Sequence, residues 1–332
     1  MSVDEDGTGG GAGAVAPPPT AKVAVVGAGA VGATLAYAVL MRGAAREVVL
    51  YDIDTAKVRA QALDLAHGIQ FMPMAAVTGT DEIAACAGAD VVVFTAGAKM
   101  KPGQTRIELA GTTIGLVRTL MPTLVDLAPD AVHLMVTNPV DVVTYAALRC
   151  SGLPREKVIG SGTVLDSSRF RYLVAEHMGV AVQNVHAYIA GEHGDTAVPL
   201  WSSATIGGVP LLDLEPLGGR GPLTPQVQEA IAHDVVHSAY EIIAGKGATS
   251  YAIGLAASRV IEAVLNDEHR VMPVSSLLDD YHGIGDVCLS VPTLVSHAGA
   301  GRPLRPPLSD AELAALRHSA DTLRATAQQF GL

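Results

Sequence analysis

The sequence predicts an α/β fold, with a doubly wound parallel sheet in the first half and a mixed α+β domain in the second. Two observations carry this prediction. Short apolar runs alternate with longer helix-like runs from residue 22 to residue 139, and the alternation stops near residue 160. Alternating β and α segments form parallel sheets, because each helical crossover returns the chain to the same edge of the sheet.

The elements of the first half follow one another in order along the chain. They include nearly continuous apolar runs, as expected of strands that are covered on both faces. Strands are predicted at KVAVVG (22–27), EVVLYDI (47–53), ADVVVFTAG (89–97) and AVHLMVTNP (131–139). Helices are predicted between them at 31–43, 56–68 and 107–128. We place this first domain at residues 21–162.

Beyond residue 160 the pattern becomes irregular, and we expect a second domain at 163–332. A helix is predicted at 165–178 and a strand in NVHAYIAGE (184–192). The segment 272–291 is typical of a β-hairpin, with its turn at 282–285. Ligands of open α/β sheets bind at the carboxyl ends of the strands. The segments YDID, FTAGA and TNPVD should therefore converge on one crevice.

Composition and charge argue against several classes of function. The 332 residues carry 22 Lys and Arg against 33 Asp and Glu, and this net charge of −11 repels nucleic acid and anionic membranes. The apolar runs are broken by glycines, so no membrane span is predicted. Three widely spaced cysteines favour a reducing cytoplasm over a disulfide framework. The acidic, Gly/Ala/Pro-rich residues 1–20 predict a disordered tail and not a signal peptide.

A glycine motif follows the first predicted strand and opens the first predicted helix. Gly27, Gly29 and Gly32 form GxGxxG, and Asp52 stands 20 residues beyond Gly32, at the end of the next strand. The glycines permit a tight turn and let a pyrophosphate approach the helix N-terminus, while Asp52 can accept hydrogen bonds from a ribose 2′-hydroxyl. This Rossmann-type arrangement predicts a dinucleotide site that prefers NAD, since a carboxylate disfavours a 2′-phosphate. The alternative is an ordinary tight turn, with Asp52 as a helix cap.

A second constellation lies in GTVLDSSRFRY (162–172) and AGEHGDTAVPLW (190–201). Asp166 and Arg169 are three residues apart at the start of a predicted helix, so they share one face. Taken singly, they fit a surface ion pair, and His193 fits an ordinary histidine. Their joint presence beside a GEHGD turn favours a catalytic group.

The chain resembles the L-lactate/malate dehydrogenase family, and most of all its bacterial lactate enzymes, over residues 21–328. The resemblance rests on seven segments that occur in order: VAVVGAGAVGATLAYAV, ALDLAHG, TAGAKMKPGQTR, TNPVD, SGTVLDSSRFRYL, GEHGDT and GKGATSYAI. It implies an NAD-dependent enzyme of the cytoplasm that acts on a small 2-oxo or 2-hydroxy acid and assembles as a homotetramer. No metal is implied, and the 11 histidines show no HExxH or comparable spacing.

The resemblance also implies a role for individual residues. His193 would donate and accept the proton, Asp166 would orient it, and Arg169 would bind the substrate carboxylate. Arg106 would polarise the carbonyl, and Asn138 and Thr249 would contact the substrate. The positions implied to contact the cofactor are Gly27, Gly29, Val31, Gly32, Asp52, Lys57, Gly97, Ala98, Val136, Asn138 and Ser161. A proton donor and a fixed cation suit hydride transfer to a ketone, because negative charge develops on its oxygen.

Met100 occupies the position that, by this resemblance, contacts the substrate side chain. Lactate enzymes of the family carry glutamine there and malate enzymes arginine. Because methionine carries no charge, a second substrate carboxylate would be buried without compensation. We therefore expect L-lactate dehydrogenase activity. Larger apolar 2-oxo acids are the alternative substrates, and a noncatalytic NAD-binding protein is a remote alternative. Met100 alternatively only packs a loop formed by residues 96–106.

Arg171 lies about 200° around the helix from Arg169 and should face away from the active site. Arg171 and His186 match positions at which bacterial members of the family bind fructose 1,6-bisphosphate across a subunit interface. The resemblance thus implies an allosteric effector site. The alternative is a solvated arginine and an ordinary strand histidine.

Overall fold

A computed structural model describes residues 21–97, 106–215 and 217–332. The predicted disorder of residues 1–20 therefore lies outside the described residues. Within the described ranges, no helix combines the length and the apolar character that a membrane crossing requires.

The described residues of the first half form six strands and four helices. In chain order they are β1 (Lys22–Val26), α1 (Ala30–Met41), β2 (Glu47–Tyr51), α2 (Thr55–His67), β3 (Ala76–Thr80), β4 (Val91–Phe94), α3 (Arg106–Leu127), β5 (Val132–Met135), α4 (Val140–Ser151) and β6 (Val158–Gly160). The predicted helices and apolar strands of this half are confirmed, each with ends that differ by a few residues. The strands β3 and β6 and the helix α4 were not predicted.

The second half is a mixture of helices and short strands. In chain order it contains α5 (Val164–Met178), β7 (Val185–His186), β8 (Ile189–Ala190), β9 (Val198–Pro199), β10 (Thr205–Ile206), β11 (Val209–Pro210), α6 (Pro225–Lys246), α7 (Tyr251–Leu265), β12 (Arg270–Met272), β13 (Ser275–Leu278), β14 (Val287–Ser290), β15 (Thr293–Ser296), β16 (Gly299–Pro303) and α8 (Asp310–Gln328). The predicted hairpin is confirmed as β13 and β14, which pair antiparallel.

Within the described ranges, the main sheet has eight strands in the order β14-β13-β6-β5-β4-β1-β2-β3. The six strands of the first half run parallel, and the hairpin β13–β14 adds two antiparallel strands beside β6. Apolar side chains fill both faces of the sheet, with α3, α4 and α8 on one side and α1, α2 and α7 on the other. The predicted doubly wound fold with helices on both faces is confirmed.

The single strand predicted at 184–192 is wrong. This segment forms two two-residue strands in separate sheets, because β7 pairs with β10 and β8 pairs with β9. Between them the carbonyl of Ala187 accepts a hydrogen bond from Nε of Arg171 at 2.7 Å, a side-chain contact in place of strand pairing. Hydrophobic alternation alone could not reveal this change of partner.

The carboxyl ends of the parallel strands lie at one edge of the sheet. Gly27 follows β1, Asp52 follows β2, Thr95 follows β4, Val136 follows β5 and Ser161 follows β6. Segments that are far apart in the chain therefore open onto the same crevice, as parallel topology requires.

Candidate active site

The turn between β1 and α1 leaves a space that suits a phosphate group. Gly27 has φ +108°, and a Cβ there would lie 2.6 Å from the backbone N of Ala96. A Cβ on Gly32 would lie 1.9 Å from the carbonyl oxygen of Gly27, so helix and turn touch at this point. A Cβ on Gly29 would meet no atom within 4 Å. The turn is thus crowded at two glycines and open at the third.

The N-terminus of α1 adds to the character of this turn. Gly29 caps the helix without a side-chain hydrogen bond, and no acidic residue occupies the first turn. Free backbone N–H groups and the helix dipole favour an anion at such a terminus. The turn and the helix end therefore fit the pyrophosphate of a dinucleotide.

Asp52 links the end of β2 to the glycine turn. Its Oδ2 accepts hydrogen bonds from the N–H of Ala28 at 2.8 Å and from Nζ of Lys57 at 2.7 Å, and its Oδ1 accepts one from the N–H of Asp54 at 3.0 Å. Burial would raise the pKa of Asp52, but these hydrogen bonds outweigh it and hold the pKa below its ordinary value. Asp52 is therefore an ionised acceptor at the edge of the crevice.

His193, Asp166 and Arg169 form one hydrogen-bonded group. Oδ2 of Asp166 lies 2.5 Å from Nδ1 of His193, and Oδ1 accepts a hydrogen bond from Arg169 at 2.9 Å. Asp166 is almost fully buried, whereas 24% of the side-chain surface of His193 remains exposed to solvent. With Nδ1 engaged, Nε2 of His193 is the ring nitrogen that remains available for a substrate.

The charges around His193 favour the imidazolium form. Burial alone would lower the pKa of His193, but the charge and hydrogen bond of Asp166, together with the charge of Asp141, outweigh burial and the opposing charge of Arg169. The pKa therefore lies above the ordinary value of 6.5. A histidine with a raised pKa is suited to donate a proton near neutral pH.

A cavity of about 230 Å³ lies in front of this group. Seven of the residues proposed from the sequence line it: Val31, Val136, Asn138, Ser161, Arg169, His193 and Thr249. His193, Arg169 and the start of α1, which follows the glycine turn, thus open onto the same space. The volume is sufficient for a small organic acid beside part of a nucleotide.

The remaining proposed residues fall in several places. Gly97 lies against Thr137, since a Cβ on it would come 2.7 Å from the methyl of that side chain. Ala98 and Met100 lie outside the described residues. Arg106 begins α3, but its side chain is not among those described. Arg171 and His186 do not line the cavity.

Six cavity residues were not predicted from the sequence. They are Thr95, Thr137, Leu165, Ala239, Ile243 and Ile253. Thr95 and Thr137 stand in the segments FTAGA and TNPVD, which were expected to converge. Their place in these two segments could have identified them as cavity residues. Ala239 and Ile243 are spaced i,i+4 on α6, but such spacing equally describes any buried helix face.

The described residues contain no group of three or more His, Cys, Asp and Glu side chains that would hold a metal ion. The site consists of a histidine, carboxylates, an arginine and backbone amides. These groups can bind an anion, bind a dinucleotide and transfer a proton.

The chain matches two family models that together span most of its length. Residues 21–160 match the NAD binding domain of lactate/malate dehydrogenase, and residues 163–330 match its alpha/beta C-terminal domain. The first match contains the glycine turn and Asp52, and the second contains Asp166, Arg169 and His193.

Named relatives agree with these matches. The chain is 54% identical to an L-lactate dehydrogenase of Bifidobacterium animalis subsp. lactis, over 93% of this chain and 97% of that protein. It is 46% identical to an L-lactate dehydrogenase of Moorella thermoacetica, over 94% of this chain and 98% of that protein.

Solved structures show the same fold. The minor L-lactate dehydrogenase of Enterococcus mundtii, in a ligand-bound form, superposes with a TM-score of 0.89 at 35% identity, covering 94% of this chain and 99% of that one. Together with the two family models, these similarities show that the chain belongs to the lactate/malate dehydrogenase family of oxidoreductases and carries its NAD-binding domain at residues 21–160.

Proposed function

We propose that the chain is an NAD-dependent L-lactate dehydrogenase that interconverts pyruvate and L-lactate by hydride transfer. The observation that carries the proposal is the hydrogen-bonded group of His193, Asp166 and Arg169, which opens onto a cavity next to the glycine turn. The names of the similar proteins from Bifidobacterium and Moorella support the same activity.

The proposed roles follow from the chemistry of each side chain. Arg169 offers a planar pair of N–H donors to the carboxylate of a 2-oxo acid, which lysine cannot match. His193 donates a proton from Nε2 to the carbonyl oxygen, and Asp166 fixes the ring and stabilises the imidazolium. When bound, NADH supplies the hydride to the carbonyl carbon. Asn138 and Thr249 line the same cavity, where they would orient the substrate.

The cofactor contacts are proposed on the glycine turn and its surroundings. Open space at Gly29 and the uncapped N-terminus of α1 support pyrophosphate binding there. Asp52 supports ribose binding, and its contact with Lys57 supports a position for that lysine beside the ribose. We further propose Arg106 as the group that polarises the carbonyl, and Gly97 and Ala98 as cofactor contacts on the strength of the sequence resemblance alone.

The cavity favours a substrate with an uncharged side chain. Apolar side chains from α6 and α7, those of Ala239, Ile243 and Ile253, face it, and its described cationic lining is limited to Arg169 and His193. Arg169 is committed to the first carboxylate, so a second carboxylate would lack a partner. This lining supports pyruvate, and it also supports the second candidate, an L-2-hydroxyacid dehydrogenase for larger apolar 2-oxo acids.

The test is an NADH oxidation assay with pyruvate, 2-oxobutyrate, a branched 2-oxo acid and oxaloacetate. We expect kcat/KM to be highest for pyruvate and far lower for oxaloacetate. A Met100→Arg variant, which adds the missing cation, should move preference toward oxaloacetate. A severalfold preference for a longer 2-oxo acid would favour the second candidate, and absence of turnover on every substrate would favour a noncatalytic NAD-binding protein.

We propose fructose 1,6-bisphosphate as an activator that binds at Arg171 and His186. His186 is exposed on β7, and the guanidinium of Arg171, which does not line the cavity, lies 4.9 Å from the ring centre of Tyr188. The bisphosphate should lower the KM for pyruvate. An Arg171→Gln, His186→Ala variant should keep basal turnover but lose activation. A wild type whose KM for pyruvate does not respond to the bisphosphate would rule the effector out.

The division of the chain and its assembly are also proposals. A domain boundary at residue 162 is supported by the two family models, which end and begin at residues 160 and 163. A homotetramer is supported by exposed apolar side chains on α1 and α7, since unpaired apolar patches on soluble proteins commonly mark contacts between subunits. A cytoplasmic location is proposed from the sequence resemblance.

A further inference from the structure

A second carboxylate lies behind the turn that carries His193. Asp141, in the first turn of α4, is almost fully buried. Its Oδ2 accepts a hydrogen bond from the backbone N–H of His193 at 2.8 Å. Asp166 therefore holds the ring of His193, while Asp141 holds its backbone.

The surroundings of Asp141 do little to neutralise its charge. In the part of the chain that the structure describes, no lysine or arginine acts on it, and its Oδ1 has no hydrogen-bond partner of normal length. Ser275 and the charge of His193 lower the pKa of Asp141, and the charge of Glu192 raises it. Burial raises the pKa of Asp141 to about 6. An unpaired buried carboxylate is unfavourable for stability, so its presence here calls for another explanation.

We propose that Asp141 is a positioning residue for the proton transfer, which fixes the turn of His193 and, when ionised, helps to keep the imidazole protonated. This inference rests on the proposed role of His193 as proton donor. It extends the site by one residue, from a different helix than the one that carries Asp166 and Arg169.

The direction of the effect follows from the charges that face His193. Asp166 and Asp141 favour the imidazolium, and Arg169 opposes it. Removing the charge of Asp141 leaves Asp166 alone against Arg169, so the pKa of His193 should fall. Reduction of pyruvate needs the protonated ring, so the loss of activity at alkaline pH should begin at a lower pH.

The main test is an Asp141→Asn variant, which is nearly isosteric and keeps an oxygen that accepts from the N–H of His193. We expect the alkaline limb of the pH profile of kcat/KM for pyruvate to shift down by about half a unit to one unit. In the free protein, an NMR titration of the His193 ring should show the same shift. Asp141→Ala also removes the acceptor, so it should lower kcat at every pH.

The control is Asp286→Asn, which removes a carboxylate that contacts α4 through Tyr145 and Arg149. This variant should keep the wild-type profile. An Asp141→Asn protein that is folded but has an unshifted profile and an unshifted His193 titration would overturn the proposal, as would a loss of thermal stability without either shift.

The wild-type chain provides a test that needs no substitution. The NMR titration of His193 should give a pKa above the ordinary value of 6.5. A His193 pKa at or below 6.5 would contradict the proposal even if every Asp141 variant failed to fold. The titration does not depend on turnover, so it separates a failure of this inference from an enzyme that does not reduce pyruvate.

Discussion

At the scale of single residues, Asp166 divides its two oxygens between His193, the proposed proton donor, and Arg169, the proposed partner of the substrate carboxylate. Arg169 and His193 thus belong to one hydrogen-bonded group, although the proposed function gives them different steps. Their substitutions should therefore separate binding from turnover.

We predict that Arg169→Lys will mainly raise the KM for pyruvate, by on the order of tenfold to a hundredfold, because the paired N–H donors are lost. His193→Asn should instead lower kcat, by on the order of a hundredfold or more, and leave the Kd for NADH unchanged. Steady-state kinetics and a fluorescence titration of NADH measure both effects. An unchanged kcat in the His193 variant would remove it from the proposed mechanism.

His133, on β5, supplies a prediction about stability. It is completely buried, and burial lowers its pKa to about 4 from 6.5. Between pH 4 and pH 6.5, His133 therefore binds a proton in the unfolded chain but not in the folded chain. As a result, the free energy of unfolding falls as the pH is lowered from 6.5 to 4. The His133 contribution is about 3 kcal/mol over that range.

A His133→Leu variant should lack this loss. Its free energy of unfolding, measured by urea titration, should gain about 3 kcal/mol relative to wild type as the pH is lowered from 7 to 4. A His318→Leu variant, which removes an exposed histidine of α8, should keep the wild-type pH dependence. If wild type and the His133 variant respond to acid identically, the burial argument is wrong.

The residue scale also shows what the sequence can and cannot predict about the site. The i,i+3 spacing of Asp166 and Arg169 predicts that they share a helix face, and they are in contact. The hydrogen bond from His193 to Asp141 joins residues 52 positions apart, and no local pattern indicates it. Contacts of this kind depend on how α4 packs against the turn after β8 that carries His193, which only the folded chain determines.

At the scale of elements, the β1–α1 turn uses its glycines in different ways. Gly32 is small because the helix touches the turn, whereas nothing in the chain itself crowds Gly29. The same substitution at the two positions should therefore give different results.

We predict that Gly32→Ala will destabilise the protein by about 3 kcal/mol, since its Cβ would overlap the carbonyl of Gly27. Gly29→Ala should keep the wild-type melting temperature but raise the Kd for NADH at least about tenfold, because its Cβ would occupy the approach of the pyrophosphate. Calorimetry and NADH titration distinguish the two. Equal NADH affinity in wild type and the Gly29 variant would mean that the pyrophosphate does not approach there.

The elements could be predicted from the sequence where they form continuous apolar runs that alternate with helices. β1, β2, β4 and β5 are buried runs, and their parallel order follows from the alternation with helices. β3, with the sequence AVTGT, lies at the sheet edge and is partly exposed, so it lacks the apolar signal. The break between β7 and β8 was missed because it results from a long-range contact.

At the scale of the whole molecule, α1 and α7 pack together, and each leaves large apolar side chains exposed. Oε2 of Glu262 accepts a hydrogen bond from Nη2 of Arg42 at 2.7 Å and thereby links the two helices. Tyr37 and Met41 on α1 and Tyr251 and Leu255 on α7 remain about half exposed or more. Such a surface suits a second copy of the chain, as the proposed assembly requires.

We predict that a Met41→Glu, Leu255→Glu variant will assemble less completely than wild type. Introduced carboxylates would be buried between subunits without partners. Light scattering after size-exclusion chromatography measures the mass of each species. Thr119→Glu, which adds a carboxylate on the exposed face of α3, is the control and should leave the mass unchanged. A wild-type chain that is already monomeric would contradict the proposed assembly.

The hairpin β13–β14 limits how far the protein can be treated as modular. It comes from the second half of the chain, yet it extends the sheet of the first half beside β6. A fragment that ended at residue 160 would leave the unpaired backbone groups of β6 at an open edge, where another chain can add as a strand. Recombination that exchanged the cofactor half between relatives would have to preserve the fit of this hairpin, so the two halves are constrained to evolve together.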